Sequence, residues 1–440
     1  MACLPMPKKS AAPKSRAKTA PKPSAKTARP SATGKAPVVR PIASGKTGPG
    51  APPLGKAEAL RLYRQMLLIR RFEERAQQIY VEGKIGGFLH LYIGQEAIAC
   101  GIMSLLHKDD YFIGAYRDHG YTLARGADPK PLMAELMGRA TGISRGKGGS
   151  MHFYDVPNGN FGGDGIVGGH IVVAAGMGYA IRMRGSEQCV VCFFGDGAIN
   201  EGAFHEALNV ASLWDLPVVF VVENNMYGMG TSVERASAVT QLHERGAAYG
   251  MIHLPCDGMD ILKVRDTFAD AFARARKEKK PTFVEVNTYR YRGHSMSDPG
   301  KYRSKEEVEK WQEKDPIARL GVFLLDQKFA KPADLEAIDK DVNLEVDECI
   351  KFSEESPWPP AEYMYEDIYV KTPTLNWRAV EKDPAWERSL PDDRVPVAYP
   401  AWGGAEAKRS PIHSGEATGS GGSSRQSNAI AAPGSTKGAK

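Results

Sequence analysis

The sequence predicts an α/β fold built on a parallel sheet with helices on both faces. Short runs rich in Val, Ile and Phe, between Gln188 and Asn225 and again at Pro281 to Thr288, read as buried strands. Segments of helical periodicity alternate with them, and that alternation is the signature of parallel strands joined by crossover helices. A length of 440 residues with 42% apolar content leaves ample material for a sizeable core.

Taken in order, the chain opens on a stretch, residues 1–53, composed mainly of Lys, Ala, Pro, Ser and Thr. Its prolines exclude a stable helix and its low apolar content excludes a core, so residues 1–56 are expected to be a disordered basic extension. The first 57 residues hold twelve Lys or Arg and no acid before Glu58; of the formal net charge of +6, the remainder of the chain therefore carries −6. The basic character belongs to the extension, and a nucleic-acid-binding protein is not indicated. The extension has no apolar stretch like that of a secretory signal, and its composition overlaps only partly with organelle transit peptides. Apolar runs such as Val218 to Val222 fall far short of the roughly 20 residues a membrane crossing needs.

From Ala57 to Val81 the residues Leu60, Tyr63, Leu67, Phe72, Ala76 and Ile79 trace a helical stripe, which opens a main domain over residues 57–370. Glycine is dense from Gly83 to Gly178, signalling tight turns or close approach of backbone to a ligand. Beyond the main domain, residues 371–440 form a second extension, of Gly/Ser-rich linker composition from about Trp402. The six cysteines show no disulfide framework and suit a reducing compartment. The Cys189-x-x-Cys192 pair lies within a strand pattern, where residues three apart point to opposite faces and cannot share an ion.

The chemistry is concentrated around one β-α-β unit. Cys189 to Phe194 reads as a strand, Gly195-Asp196-Gly197 as a turn, Glu201 to Leu213 as a helix, and Pro217 to Val222 as a second strand leading to Asn224-Asn225. A right-handed crossover brings the carboxyl ends of both strands to one sheet edge, where α/β proteins bind ligands. Asp196 and Asn225 would then offer a carboxylate and an amide oxygen, donors suited to magnesium, which takes few protein ligands and fills its octahedron with phosphate oxygens and water. The glycines beside Asp196 would let backbone approach a diphosphate. Other phosphate motifs fail: Gly45-Lys46-Thr47 has Arg40 where a P-loop needs glycine, and Gly176-x-Gly178 has Ile181 where a dinucleotide fingerprint needs its third.

Gly-Asp-Gly after one strand, 26 intervening residues and Asn-Asn after the next resemble the signature of thiamine-diphosphate enzymes. The resemblance extends from about Ala57 to Tyr369, over which the sequence is similar to the alpha subunits of thiamine-diphosphate-dependent 2-oxo acid dehydrogenases, heterotetrameric pyruvate dehydrogenases in particular. Six separated motifs carry it: Gly87-Phe-Leu-His90 with Gly94-Gln-Glu96, Ala115-Tyr-Arg-Asp-His-Gly120, Gly146-Lys-Gly-Gly-Ser-Met-His152, Gly165-Ile-Val167, Glu223-Asn-Asn-Met-Tyr-Gly228, and Tyr289-Arg-Tyr-Arg-Gly-His-Ser-Met-Ser-Asp298.

The resemblance implies that Asp196, Asn225 and the backbone oxygen of Tyr227 hold magnesium. It assigns Tyr116, Arg117 and Arg290 to the diphosphate, for which guanidinium groups match in charge and geometry, and places Gly197 and Ala198 at the cofactor as well. Gly165 and Val167 would meet the aminopyrimidine ring through their backbones, and His90 and His294 would handle substrate and protons near the reactive carbon. The implied reaction is oxidative decarboxylation of a 2-oxo acid, pyruvate foremost, with transfer of the acetyl unit to a lipoyl group on a dihydrolipoyl transacetylase component. The glutamate that activates the cofactor is supplied in this family by a beta subunit, within an α2β2 heterotetramer, and no equivalent is assigned in this chain. A branched-chain 2-oxo acid or acetoin dehydrogenase is the alternative; a non-catalytic basic scaffold is a remote one, opposed by the intact Asp196, Asn225 and His294. Ser295 falls at the serine phosphorylated in mitochondrial relatives, whereas Lys301 or Tyr302 replaces a further one, which favours a bacterial cytoplasmic setting over the mitochondrial matrix.

Overall fold

The structure is a computed structural model in which residues 50–366 are described. The expected disorder of residues 1–49 and the expected Gly/Ser-rich extension lie outside the described residues. Gly50 and Ala51, assigned from composition to the leading extension, donate their backbone N–H groups to Asp270 (3.0 Å) and Asp266 (3.2 Å). Pro and Gly report what a segment cannot form by itself, and carry no information about a surface on which it lies. The first helix, α1 (Lys56–Val81), buries Tyr63, Leu67, Phe72, Ala76 and Ile79 of the expected stripe and, unexpectedly, Glu73 among them.

Six parallel strands form the sheet: β1 (Tyr111–Ala115), β2 (Asn160–Asp164), β3 (Val190–Gly195), β4 (Val218–Asn224), β7 (Ile252–Asp257) and β8 (Thr282–Asn287). Their spatial order is β2-β1-β3-β4-β8-β7. Two short strands, β5 (Tyr227–Gly228) and β6 (Thr231–Ser232), pair separately just after β4. Side-chain alternation sorts the strands into two cores. Val191, Phe193, Val219, Val221, Val284 and Val286 pack on one side, beneath α1, α2 (Glu96–Met103), α3 (His119–Arg125), α4 (Pro129–Leu136) and α8 (Ile261–Glu278). Val190, Cys192, Phe194, Val218, Phe220 and Val222 pack on the other, beneath α5 (Gly169–Arg184) and α6 (Gly202–Leu213).

The α/β expectation, with helices on both faces of a parallel sheet, is borne out. Burial on both faces explains why these strands read as continuous apolar runs, each fully buried Val or Phe contributing about 1.5–3 kcal/mol. Cys189 lies in the first core and Cys192 in the second, so the pair straddles the sheet. The short α7 (Val233–Ala236) and α9 (Lys305–Gln312) lie in connections, while α10 (Pro316–Asp326) and α11 (Pro332–Glu355) extend the first core beside α1. No helix among the described residues is long and apolar enough to cross a membrane.

The chain runs from β1 outward to β2 on one side, then returns to place β3 on the other side of β1. That reversal opens a crevice at the carboxyl ends of β1 and β3. The loop before α2 and the segment after β8 close over it in near contact. Gly94 has φ 102°, and a Cβ there would stand 2.4 Å from the backbone oxygen of Tyr289. A Gly94→Ala variant is expected to lose about 2–4 kcal/mol of stability from left-handed strain and backbone overlap together. Chemical denaturation measures it; a loss under about 0.5 kcal/mol would show that the two segments part freely.

Candidate active site

Five strands end at one cavity of about 640 Å³, a size typical of cofactor sites. Tyr116 and Arg117 follow β1, Gly165 and Val167 follow β2, Asp196, Gly197 and Ala198 follow β3, Asn225 and Tyr227 follow β4, and Arg290 and His294 follow β8. His90 enters from the loop before α2. Every residue singled out from the sequence as a site candidate therefore lines the same space, and Ser295 lines it too.

The oxygen donors cluster. Asp196 is 5% exposed, and burial pushes its carboxyl up to about 6. Among the described residues no cationic side chain forms an ion pair or hydrogen bond with it. Asn225 Oδ1 accepts from Arg290 Nε (3.1 Å) and the Tyr227 carbonyl accepts from Arg290 Nη2 (3.0 Å), so two of the expected metal-binding oxygens already face a cationic group. The Asn225 amide is oriented from behind, because its Nδ2 donates to Gln95 Oε1 (3.0 Å). A carboxylate, an amide and a carbonyl facing inward fit a hard divalent cation. Gly197 and Gly228 face each other here, a Cβ on Gly197 lying 3.7 Å from the Gly228 Cα, so the lip is bare backbone that a phosphate could approach.

Positive charge lies beside these oxygens, and among the described residues no carboxylate forms an ion pair or hydrogen bond with it. Arg117 is 6% exposed and gives two hydrogen bonds to carbonyls, Leu91 at 2.6 Å and His294 at 2.8 Å. Burial, reinforced by neighbouring Arg290, pushes it down to about 10. Arg290 keeps its buried Nη1 without a partner among the described residues. Two buried guanidiniums held by neutral carbonyls repel each other, and an anion between them would relieve that repulsion.

Three rings stand at one side of the cavity: His90 to Tyr116 at 4.6 Å, His90 to His294 at 5.3 Å and Tyr116 to His294 at 5.6 Å between centroids. Burial and then Arg117 push His90 down to about 2; burial and then the two arginines push His294 down to about 3. Both imidazoles are thus neutral near pH 7 and able to accept a proton. Their bases are weak until an anion offsets the arginines.

Sequence reasoning passed over Glu223, Tyr121 and Gln95. Glu223 is 4% exposed and lines the cavity; the hydroxyls of Tyr92 and Tyr121 donate to its two oxygens. Burial pushes it up to about 7, against those hydrogen bonds. The available signal was a carboxylate ending an otherwise apolar strand. Gln95 stood within a quoted motif without any spacing to mark its part. Val167 at the cavity is 44% and its neighbour Ile166 74% exposed, and Val172, Val173 and Tyr179 on the following helix α5 are exposed as well.

The fold and the cavity define an α/β protein with a cofactor-sized cavity at the carboxyl edge of its parallel sheet. Residues 64–362 match the family described as dehydrogenase E1 component. The chain is 47% identical over 315 residues to the pyruvate dehydrogenase E1 component subunit alpha of Rickettsia prowazekii, a match covering 72% of this chain and 97% of that protein. It is 48% identical over 324 residues to the protein of the same name from Zymomonas mobilis, covering 73% of this chain and 91% of that one. With the protein of that name from Rhizobium meliloti it shares 48% identity over 314 residues, covering 71% and 90%. The chain belongs to the dehydrogenase E1 component family, and the resemblance read from the six motifs is borne out.

Proposed function

We propose that this chain is the alpha subunit of the decarboxylase component of a pyruvate dehydrogenase complex. It would hold thiamine diphosphate and magnesium, act with a beta subunit, and hand the acetyl unit to a lipoyl group of the transacetylase component. The observation that carries the reading is the convergence of Asp196, Asn225 and Tyr227 oxygens with the Arg117 and Arg290 guanidiniums in one cavity. Relatives named for pyruvate dehydrogenase support the choice of substrate; none of those named points to branched 2-oxo acids or acetoin.

Bound thiamine diphosphate supplies the electron sink for loss of carbon dioxide from a 2-oxo acid. Asp196, Asn225 and the Tyr227 carbonyl would hold the metal; Arg117, Arg290 and Tyr116 would hold the diphosphate. His90 and His294, neutral and side by side, would orient the substrate carboxylate and accept or return a proton at Nδ1 or Nε2. The Gly165 backbone and Val167 would border the ring end, next to the exposed apolar residues that the beta subunit would cover. Assembled with its beta subunit, the protein is expected to show kcat/KM for pyruvate at least about tenfold above that for 3-methyl-2-oxobutanoate, since each extra methylene discriminates by about 10- to 200-fold, and at least about tenfold above that for acetoin, which lacks the carboxylate. A preference for either competitor would overturn the substrate assignment while leaving the cofactor site standing.

A further inference from the structure

Behind the cavity wall, Glu73, His119 and Ser150 form a line of buried polar groups from three distant parts of the chain, at 0%, 0% and 5% exposure. Glu73 interrupts the apolar stripe of α1, His119 opens α3, and Ser150 lies in the short turn Gly149–Met151. His119 Nδ1 stands 3.0 Å from both Glu73 oxygens. Its Nε2 stands 2.9 Å from the Ser150 carbonyl and 3.0 Å from Ser150 Oγ. Burial, the largest single influence, opposes charge on this imidazole, but Glu73, Asp118 and the Ser150 carbonyl together outweigh it and raise the ring above its ordinary value.

Both ends of the line finish on the segment that carries His90. Ser150 Oγ accepts the His90 N–H (3.0 Å), and Glu73 accepts the Tyr92 N–H (2.8 Å). The Leu91 carbonyl between them accepts from Arg117. Residues 90–92 belong to no helix or strand, so these contacts supply the fixing that a ladder would otherwise give. The His90 ring itself has a buried Nδ1 without a partner among the described residues, so its stance follows from its backbone and from the Tyr116 and His294 rings. A buried ion pair gives no clear stability advantage over packed apolar side chains. What apolar side chains cannot do is accept the two N–H groups.

We propose that Glu73, His119 and Ser150 are positioning residues that set where the His90 imidazole stands in the cavity. The inference rests on the reading of His90 as a group that meets the substrate. The test is a double-mutant cycle in the chain assembled with its beta subunit, with magnesium and thiamine diphosphate present. Ser150→Ala is expected to lower kcat for pyruvate about tenfold through misplacement, while KM and cofactor affinity stay within about twofold because uniform binding is untouched. Ser150→Thr, which keeps the hydroxyl, should regain most of the loss. In a His90→Ala background, Ser150→Ala should lower kcat no further.

A loss of the same size with His90 absent would overturn the proposal, as would unchanged kcat in Ser150→Ala alone. A fully active His90→Ala single variant would overturn the reading of His90 itself, and the positioning line with it; that single variant tells the two failures apart. Where Ser150→Ala does not assemble, His119→Gln carries the same cycle with the same deciding outcomes.

Discussion

Asp196→Ala is expected to abolish magnesium-dependent binding of thiamine diphosphate, weakening the affinity by more than about 100-fold, since even residues behind a metal ligand are worth about 10- to 100-fold. Asp196 is the one carboxylate in the proposed donor set, buried, and reached by Arg290 only through space, with no ion pair or hydrogen bond to a cationic side chain among the described residues. Alanine there removes a desolvated group, so the unliganded variant should unfold no earlier than the parent protein. The contrast between the two states is the informative measurement. With magnesium and cofactor at about 100 times the dissociation constant, the parent gains about 2.7 kcal/mol from ligand linkage; the variant should gain none. Calorimetric titration gives the affinity directly. An unchanged affinity with magnesium present would remove Asp196 from the site.

The second large effect concerns the chain in isolation. Purified alone and supplied with magnesium and thiamine diphosphate, it is expected to decarboxylate pyruvate at least about 10²-fold more slowly than after mixing with a beta subunit, the lower bound for losing a general acid–base group. Glu223 is a carboxyl of this chain that faces the cavity, but the Tyr92 and Tyr121 hydroxyls engage both its oxygens. Exposed Ile166 and Val167 leave the mouth open to water where the ring end would lie. Turnover by the isolated chain at a rate comparable to the mixture would show that Glu223, or another acid of this chain, serves in place of the partner's.

The β3-α6-β4 unit could be read directly because its signals are local: an apolar run, a glycine turn, a helical stripe and a second run within about 37 residues, 189–225. The placing of Asp196 and Asn225 at one edge followed from crossover handedness alone. Tyr116, Arg117, His90 and His294 could not be joined to them in that way. Bringing them together depends on the order β2-β1-β3-β4-β8, which no periodicity encodes, and only the family resemblance linked them.

Glu73 and Glu223 escaped for the opposite reason. Each is a single acid on a strongly apolar face, a pattern that marks a satisfied buried group without naming its partners, which lie 46 residues away for Glu73 and His119 and 102 for Glu223 and Tyr121. The hydrogen bonds made by Gly50 and Ala51 were hidden in the sequence for the same reason. Gly50 and Ala51 are held by acids on α8, more than 200 positions later.

Because five different strands each deliver part of the cavity, no contiguous fragment of the chain contains a usable share of it. Cofactor affinity accordingly reports on the completeness of the whole sheet. Opening of β2, the edge strand that leads to Gly165 and Val167, would dismantle the ring end while the oxygen cluster at β3 and β4 stays intact. Amide exchange should resolve these as separate cooperative units when the protein is empty, and bound cofactor, touching both, should fuse them into one. Occupancy would in this way act as a clasp across the sheet, tying the lifetime of its β2 margin to that of the centre.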